Sequence, residues 1–266
     1  MKDLILLKIG GSVCTEKSQG KFRVRKKAVT RIAKEIAEAK RLGKFRLLVV
    51  NGAGPFGHVN VASYDINNGL STPKDYAGFI KTVCDCDYLN HAVSEAMRRE
   101  GILAYPYPSS SVIMQARKRI SFFSLDVAKR LWVYNPDIVP VMNGTMVPDA
   151  ALKGSVVSGD AVIEYLAERL NAKLVIFATD VDGIFTADPH KNRKARLVPE
   201  ITKESFASLK KGISGSSSTD VTGGMLGKVE RLLGLGARTL IVNGNKPGRV
   251  RDALLLKKVR GTVIKP

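Results

Sequence analysis

Short runs of consecutive apolar residues alternate with longer amphipathic segments along the whole 266-residue chain. The run at 4–7 is apolar throughout, as expected for a strand of a parallel sheet that is covered by helices on both faces. The segment 25–42 carries apolar residues at helical spacing and is followed by Gly43, a residue that commonly ends helices. The alternation predicts an α/β fold, a three-layer sandwich with a mainly parallel central sheet.

The same pattern places the individual elements. Strands are predicted at 4–7, 45–50, 102–105, 138–141, 174–178, 239–242 and 262–264, and helices at 25–42, 75–99, 125–134, 158–170, 202–211, 222–233 and 248–256. A polar loop is predicted through Lys17 and Gly20, a hairpin over 145–157 that turns near Lys153, and a mobile glycine- and serine-rich stretch at 212–218. The apolar side chains of 75–99 are expected in the core; they are Tyr76, Phe79, Ile80, Val83 and Tyr88.

The charge of the chain is high and positive. Lys and Arg number 43 against 24 Asp and Glu, which gives a formal net charge of +19. Such a balance suits nucleic acid, a membrane surface or phosphorylated small molecules. The basic residues are spread along the chain without an aromatic-interleaved repeat, so we interpret them as general surface charge that also attracts phosphorylated substrates, and we do not expect a nucleic-acid partner.

The cysteines and the apolar runs indicate a cytoplasmic protein. Cys14, Cys84 and Cys86 are too few for a disulfide framework, and no second His or Cys pair accompanies Cys84 and Cys86 at metal-ligand spacing. No apolar run approaches the ~20 residues that a membrane span requires. The residues after Met1 show no signal-peptide cleavage pattern.

Phosphate-binding chemistry gathers in stretches that follow predicted strands or open predicted helices. Glycines at such positions let backbone N–H groups approach an anion closely. Neither GxxxxGK[ST] nor GxGxxG follows the first strand, which weakens both a P-loop and a dehydrogenase interpretation. The stretches are 8–12, 52–58, which has three glycines and ends at His58, 158–160, 180–183 and 220–228.

The order of these motifs resembles the amino-acid kinase superfamily and, within it, the isopentenyl phosphate kinases. The resemblance spans nearly the whole chain. Its subfamily part depends mainly on Phe56-Gly57-His58, because related kinases that act on carboxylates lack that histidine. The residues that carry the resemblance are Lys8 to Val13 with Thr15 and Lys17, Gly52 to His58, Ser158 to Asp160, Ala178 to Ile184, Asp188-Pro189, Asp220 to Met225 with Lys228, and Val242 to Asn245.

The resemblance implies an ATP-dependent kinase that converts isopentenyl phosphate to isopentenyl diphosphate, a step of isoprenoid biosynthesis in an alternative mevalonate route of archaeal type. It implies one amino-acid-kinase domain over 1–266, with an acceptor-binding lobe at about 1–157 and a nucleotide-binding lobe at about 158–266. The cofactors would be ATP and Mg²⁺, with the metal carried by the ATP phosphates rather than by a protein cage. The partner would be a small phosphorylated substrate, and a homodimer is expected.

The resemblance also implies roles for individual residues. Lys8 and Lys228 would grip the nucleotide phosphates, Lys17 would neutralise the moving phosphoryl group, and Asp160 would hold the lysines in place rather than act as a base. The catalytic set is Lys8, Lys17, His58, Asp160 and Lys228. The ATP-binding set is Lys8, Gly10, Gly11, Ser12, Pro55, Asp180, Gly183, Gly224 and Lys228. The substrate-binding set is Ala53, Gly54, His58 and Gly159.

Two departures from the family pattern leave the acceptor open. The glycine loop, usually His-Gly-Gly-Gly-Ser/Ala-Phe-Gly-His, has Asn51, Ala53 and Pro55, and proline removes one potential N–H donor. The stretch Asn143-Gly144-Thr145 stands where the family tends to carry Tyr-Gly-Asp. A kinase of another phosphomonoester or of a carboxylate is one alternative, and a non-catalytic nucleotide- or oxyanion-binding module is another. Phe79, Ile80 and Val83 are candidates for a pocket around the acceptor's tail.

Overall fold

The computed structural model describes residues 2–18, 21–187, 192, 194–207 and 219–266, without the side chains of 17, 18, 21 and 219–226. The strands are β1 (Leu4–Ile9), β2 (Thr15–Ser18), β3 (Lys21–Val24), β4 (Arg46–Asn51), β5 (Ala104–Pro106), β6 (Ile113–Ala116), β7 (Arg119–Phe123), β8 (Val139–Asn143), β9 (Thr145–Asp149), β10 (Lys153–Val157), β11 (Leu174–Thr179), β12 (Glu200–Ile201), β13 (Arg238–Asn243) and β14 (Gly261–Ile264). The helices are α1 (Gly11–Cys14), α2 (Lys26–Leu42), α3 (Pro55–Tyr64), α4 (Pro73–Arg99), α5 (Asp126–Tyr134), α6 (Gly159–Leu170), α7 (Thr219–Gly234) and α8 (Arg249–Leu254).

An eight-stranded sheet lies at the centre, in the order β12-β14-β13-β11-β1-β4-β8-β5. The strand β1 pairs in parallel with both β4 and β11, and the antiparallel pair in this sheet is β13 with β14. The carboxyl ends of β1, β4, β8, β11 and β13 therefore meet at one edge, where open α/β sheets bind ligands. The predicted mainly parallel sheet is confirmed.

Helices cover both faces of this sheet. Side chains of β1 alternate between the faces, so that Leu4 and Leu6 pack in one buried cluster while Ile5, Leu7 and Ile9 pack in the other. The first cluster includes buried side chains of α5, α6 and α7, and the second includes those of α2, α4 and α8. This arrangement is the predicted three-layer sandwich.

Two smaller sheets flank the central one. The strands β10, β9, β6 and β7 form a four-stranded sheet, and β2 pairs with β3 in a hairpin. The predicted polar loop through Lys17 is wrong for its first part, because the backbone of Lys17 lies in β2 opposite Phe22. Phe22 and Val24 pack against the core, which stabilises extended structure where the sequence is polar. The hairpin over 145–157 is confirmed, although it turns just before Lys153.

The helix α4 presents a different face to the core from the one that its apolar residues suggested. Tyr76, Ile80 and Tyr88 are exposed rather than buried, whereas Phe79 and Val83 pack against a small cluster around Met146. The helix begins at Pro73 because Thr72 and Asp75 form a reciprocal capping box. The predicted mobile stretch 212–218 and the end of the helix predicted at 202–211 lie outside the described residues. No helix in the described ranges is long and apolar enough to span a membrane.

Candidate active site

Backbone hydrogen bonds extend the central sheet one residue past its strand ends. Gly10 N–H donates to the carbonyl of Ala178 at 2.8 Å, and Gly52 N–H donates to that of Ile9 at 2.8 Å. Gly144 N–H donates to the carbonyl of Asn51 at 2.9 Å. The loops after β1, β4 and β8 therefore leave the sheet side by side, each at a glycine.

These loops pack backbone against backbone, which explains the glycines. A Cβ on Gly11 would lie 2.5 Å from the nitrogen of Gly54, and one on Gly144 would lie 2.7 Å from the nitrogen of Gly159. Gly54 has a φ of +53° and caps the start of α3, and its own Cβ would lie 2.5 Å from Oγ1 of Thr15. A Cβ does not fit at these glycines, so main-chain groups form the surface where the loops touch.

Three charged side chains meet across this edge. Nζ of Lys8, at the end of β1, lies 2.6 Å from Oδ1 of Asp160, in the first turn of α6. Nζ of Lys228, on α7, lies 3.2 Å from Oδ2 of the same carboxylate and 4.5 Å from the ring centroid of Phe177. One carboxylate therefore bridges two ammonium groups that come from opposite ends of the chain.

The surroundings change the pKa values of this triad. Burial acts to raise the pKa of Asp160, but the charges of Lys8 and Lys228 outweigh it and hold the pKa below its usual value. Burial, reinforced by the charge of Lys8, lowers the pKa of Lys228 against the opposing effect of Asp160. The carboxylate is thus held ionised, while Lys228 gives up its proton more readily than an ordinary lysine.

A cavity of about 1100 Å³ opens at the same edge. Its polar end is formed by the loops after β1 and β4 and by the start of α6, where Ser158 caps the helix by accepting a hydrogen bond from Ala161 N–H at 3.0 Å. The predicted site residues that line it are Lys8, Gly11, Ser12, Ala53, Gly54, Pro55, His58, Gly159 and Asp160.

His58 lies in the first turns of α3 and lines this cavity with an exposed side chain. Its backbone N–H donates to the carbonyl of Gly54 at 3.1 Å. Within the described part of the chain, its imidazole makes no hydrogen bond or ion pair, which leaves both ring nitrogens available to a ligand. Pro55 is the first residue of α3, a position where proline is favoured because the helix does not use that N–H.

Comparison with known proteins identifies the family. A family model described as the amino acid kinase family matches residues 3–251. The chain belongs to the amino acid kinase family. It is 37% identical over 271 residues to the isopentenyl phosphate kinase of Methanothermobacter thermautotrophicus, and the alignment covers 98% of each chain. Its identity to the isopentenyl phosphate kinase of Methanocaldococcus jannaschii is 31%, again over 98% of each.

Solved structures agree with these relatives. An X-ray structure of an isopentenyl phosphate kinase superposes with a TM-score of 0.82 at 34% identity, covering 98% of this amino acid kinase and 100% of the solved chain. A carbamate kinase from Giardia lamblia superposes with a TM-score of 0.71 at 17% identity and shows the shared fold alone. The family, the fold and the resemblance to isopentenyl phosphate kinases expected from the sequence are all confirmed.

Several residues predicted to bind ATP lie outside the cavity lining of this amino acid kinase. Gly10 lies against the backbone of β11, and Asp180 is exposed after β11. Gly183, with a φ of +148°, packs against Thr262 of β14. The backbone of Gly224 lies on α7 one turn before Lys228, and its predicted contact with ATP stays a prediction. The side chain of Lys17 and residues 188–189 are not among the described parts, so their predicted contributions stay predictions.

The apolar end of the cavity was missed by sequence reasoning. It is formed by α3 together with β9 and β10, and its lining side chains are Val59, Val61, Ala62, Met146, Val156 and Val157. Phe79 and Val83, proposed from the sequence as pocket residues, pack with Met146 rather than line the cavity, and Ile80 is exposed. Neither β9 (Thr-Met-Val-Pro-Asp) nor β10 (Lys-Gly-Ser-Val-Val) alternates apolar with polar residues, so the sequence does not say which face a ligand contacts.

The departure at Asn143-Gly144-Thr145 also acquires a structural explanation. Asn143 is buried, accepts a hydrogen bond from Ser109 N–H at 3.0 Å and donates one to Asp87 at 2.9 Å. It therefore fixes the strand end from behind, while Gly144 and Thr145 line the cavity.

Proposed function

We propose that this member of the amino acid kinase family transfers the γ-phosphoryl group of ATP to isopentenyl phosphate, giving isopentenyl diphosphate and ADP. The observation that carries the proposal is that His58 lines one cavity together with the glycine loops after β1 and β4 and with apolar side chains of α3, β9 and β10. A cavity with both kinds of surface matches an acceptor that has a phosphate group and a hydrocarbon tail. Similarity at 37% identity over full length to an isopentenyl phosphate kinase supports the same acceptor.

The acceptor's phosphate would lie at His58 and the backbones of Ala53, Gly54 and Gly159. A protonated imidazole and main-chain N–H groups are suited to a phosphate monoester, because both donate hydrogen bonds to an anion. The short branched hydrocarbon would lie against Val59, Val61, Ala62, Met146 and Val156, where burial of apolar area contributes ~25 cal/mol per Å².

The donor's phosphates would lie at Lys8 and Lys228, with Gly11 and Ser12 supplying backbone N–H groups. The N–H of Gly10, predicted for the same role, already donates to the carbonyl of Ala178. Phosphoryl transfer depends mainly on positioning and on stabilising charge, and the acceptor oxygen is already ionised at neutral pH, so no general base is required. Asp160 would hold the two ammonium groups at a fixed separation, as its contacts of 2.6 Å and 3.2 Å suggest. Lys17 would reach the transferred group from β2.

Mg²⁺ is part of the same proposal. The described residues contain no group of three or more His, Cys, Asp or Glu side chains that could hold a metal ion. Mg²⁺ commonly keeps several waters and binds through substrate phosphates, so we propose that it enters with ATP. When bound, it would offset negative charge on the β- and γ-phosphates.

The test is a coupled ADP-release assay across isopentenyl phosphate, dimethylallyl phosphate, UMP and glutamate. We expect isopentenyl phosphate to give the highest kcat/KM. His58→Gln should lower kcat/KM for it by ~100-fold or more while leaving ATP affinity unchanged, because the lost contact is to the acceptor. His91→Gln removes an exposed histidine of α4 and is the matched control. Full activity of His58→Gln, or a preference for UMP or glutamate, would reject the proposed acceptor.

Assembly and location remain proposals as well. We propose a homodimer formed through the exposed Tyr76, Ile80 and Tyr88 of α4. Light scattering of the wild type and of Ile80→Glu would test this interface. A monomeric wild type would reject it. The cytoplasmic location rests on the cysteines and the apolar runs of the sequence, whereas the archaeal-type route and the division into lobes at about 157 rest on the resemblance. The cavity is lined by residues from both proposed lobes, as expected if donor and acceptor meet between them.

A further inference from the structure

A second cavity lies at the opposite edge of the central sheet, where β1 and β4 begin. Its volume is about 680 Å³, within the range of small-molecule sites. We call it the amino-edge cavity; its lining includes Lys2, Arg46, Lys129, Arg169, Trp132 and Val133. Leu4 also lines it and precedes Lys8 by four residues on β1, so the two cavities are separated by about 13 Å along that strand.

The charge in this cavity is of one sign. Four of its lining side chains are cationic, and none of the lining residues is acidic. Lys2 pairs with Asp137 at 3.0 Å, whereas in the described ranges the other three cations, Arg46, Lys129 and Arg169, make no ion pair with a carboxylate. Cations that share a cavity repel one another, and a bound anion would relieve that repulsion.

Arg46 is held in place without a carboxylate. Its Nε donates to the carbonyl of Lys2 at 3.0 Å, and its guanidinium lies 5.2 Å from the ring centroid of Trp132. The indole itself is fixed, because Nε1 of Trp132 donates to the carbonyl of Ile138 at 3.0 Å. The remaining guanidinium nitrogens make no hydrogen bond within the described part of the chain, and a fixed fork of this kind suits a phosphate.

The helix dipole explains the position of only one of these three cations. Arg169 lies in the last turn of α6, where a cation stabilises the helix dipole. Arg46 begins a strand, and the last turn of α5 holds no basic residue, so neither Arg46 nor Lys129 has that explanation. The lining also includes apolar residues, namely Leu4, Leu170, Pro136 and the 72%-exposed Val133. Cations next to apolar surface match a ligand that has both an anionic and an apolar part.

We propose that the amino-edge cavity is a second, non-catalytic binding site for an amphiphilic phosphate ester, a phosphate or diphosphate group joined to an apolar chain. The phosphate groups lie among Arg46, Lys129 and Arg169, and the chain lies against Trp132 and Val133. The assignment rests on the chemistry of this cavity and does not depend on which acceptor the kinase uses.

Trp132 is the chain's single tryptophan, so its fluorescence reports on this cavity. Geranyl diphosphate, titrated without ATP, should change the emission saturably. Geraniol and inorganic diphosphate should each bind at least ~10-fold more weakly, since each lacks one of the two parts. ATP, which lacks the apolar chain, should not displace geranyl diphosphate.

The double variant Lys129→Glu/Arg169→Glu tests the charges. It changes two exposed side chains, and we expect it to weaken binding by at least ~10-fold. The thermal midpoint should fall only slightly, because Arg169 also stabilises the end of α6. The matched control is Lys257→Glu/Lys258→Glu, which makes the same change in net charge at two exposed residues outside the cavity and should bind as the wild type does. Equal binding by both double variants would overturn the proposal.

Two further outcomes count against the proposal. One is the absence of any saturable change in Trp132 emission. The other is binding of the protein to phosphatidylglycerol vesicles, lost in Lys129→Glu/Arg169→Glu, without a response to free geranyl diphosphate, which would make this face a membrane contact instead. Because no turnover is measured, the proposed acceptor can fail in the ADP-release assay while this site stands, and the reverse also holds.

Discussion

Asp160→Asn tests how the charged triad works. The carboxylate oxygens lie 2.6 Å and 3.2 Å from the ammonium groups of Lys8 and Lys228. At an effective dielectric constant of about 20, each contact corresponds to about 5–6 kcal/mol of Coulomb energy before desolvation is subtracted. The three side chains are between 16% and 29% exposed, so water screens part of this attraction. We expect the free energy of unfolding to fall by about 2–3 kcal/mol, somewhat less than for a fully buried pair.

The effect on catalysis should separate positioning from binding. Without the carboxylate, both ammonium groups remain available to ATP, so its affinity should be unchanged or higher, yet their positions are no longer fixed. We expect kcat to fall by ~100-fold, as is typical when one preorganised electrostatic group is lost. The measurements are steady-state ADP release and an equilibrium titration with ATP.

Glu164→Gln is the matched control for this experiment. It removes a carboxylate one turn further along α6, where Glu164 pairs with Arg231 at 3.1 Å, and should change kcat by less than ~3-fold. A kcat of Asp160→Asn within ~3-fold of the wild type would refute the positioning role. A loss of ATP affinity that accounts for the whole loss of activity would refute it too. Loss of an acidic limb from the pH profile of kcat would instead identify Asp160 as a base.

Other predictions follow from single contacts. Gly54→Ala should cost more stability than Gly101→Ala and should also abolish activity. Both glycines have positive φ, so each substitution costs about 1–2 kcal/mol, but only at Gly101 is the space around the new Cβ open. Equal losses in thermal unfolding would contradict the packing argument. Because burial and the charge of Lys8 lower the pKa of Lys228, kcat/KM for ATP should fall at a pH below the usual lysine range. Lys228→Arg should move this alkaline limb of the pH profile to higher pH. If the limb does not move, the titrating group is another residue. Glu35→Gln removes the charge of a buried carboxylate that pairs with Arg31 at 2.6 Å and should cost about 3 kcal/mol in urea unfolding. Glu38→Gln, at a two-fifths exposed carboxylate, should cost less than about 1 kcal/mol, and equal costs would contradict the burial argument.

Seven of the eight strands of the central sheet were predictable because each carries its own signal, whereas the two-residue β12 carries none. The strands β1 and β4 are apolar on both faces, and that pattern alone places them between two layers of helices. The hairpin of β2 and β3 carries no such signal. It depends on Phe22, whose ring packs edge-on against Phe56 with 4.8 Å between centroids, a contact between residues that are distant in sequence.

The face of α4 was not predictable for a related reason. The helix buries polar side chains, including Thr82, Asn90 and Ser94, and leaves Tyr76 and Tyr88 exposed. Thr82 and Ser94 donate to carbonyls of their own helix, at 2.7 Å and 2.9 Å. Asn90 donates to the side chain of Asn51 at 3.1 Å and to the carbonyl of Val141 at 3.0 Å. A local pattern predicts such residues on the surface, because it does not show the main-chain partners of Thr82 and Ser94 or the partners of Asn90 on other strands.

The candidate site was likewise predictable only in part. The positions of Lys8, Asp160 and Lys228 were expected from a resemblance, and the structure places them in contact. Gly183 stood in an equally suggestive motif, yet its backbone packs on Thr262. A motif fixes which residue types occur at a strand end, whereas contact with the cavity depends on how neighbouring strands are ordered across the sheet.

That strand order explains why glycines occupy the loops after β1 and β4. A Cβ on Gly52 would lie 2.7 Å from the nitrogen of Gly11, just as one on Gly11 would meet Gly54, so the loops after β1 and β4 touch through their main chains. Any side chain there would push the two loops apart and move Lys8 away from His58. We infer that the distance between the proposed donor and acceptor sites depends on the absence of side chains between these loops. Pro55 loses one N–H but has a fixed φ at the start of α3, so it also helps to hold that distance.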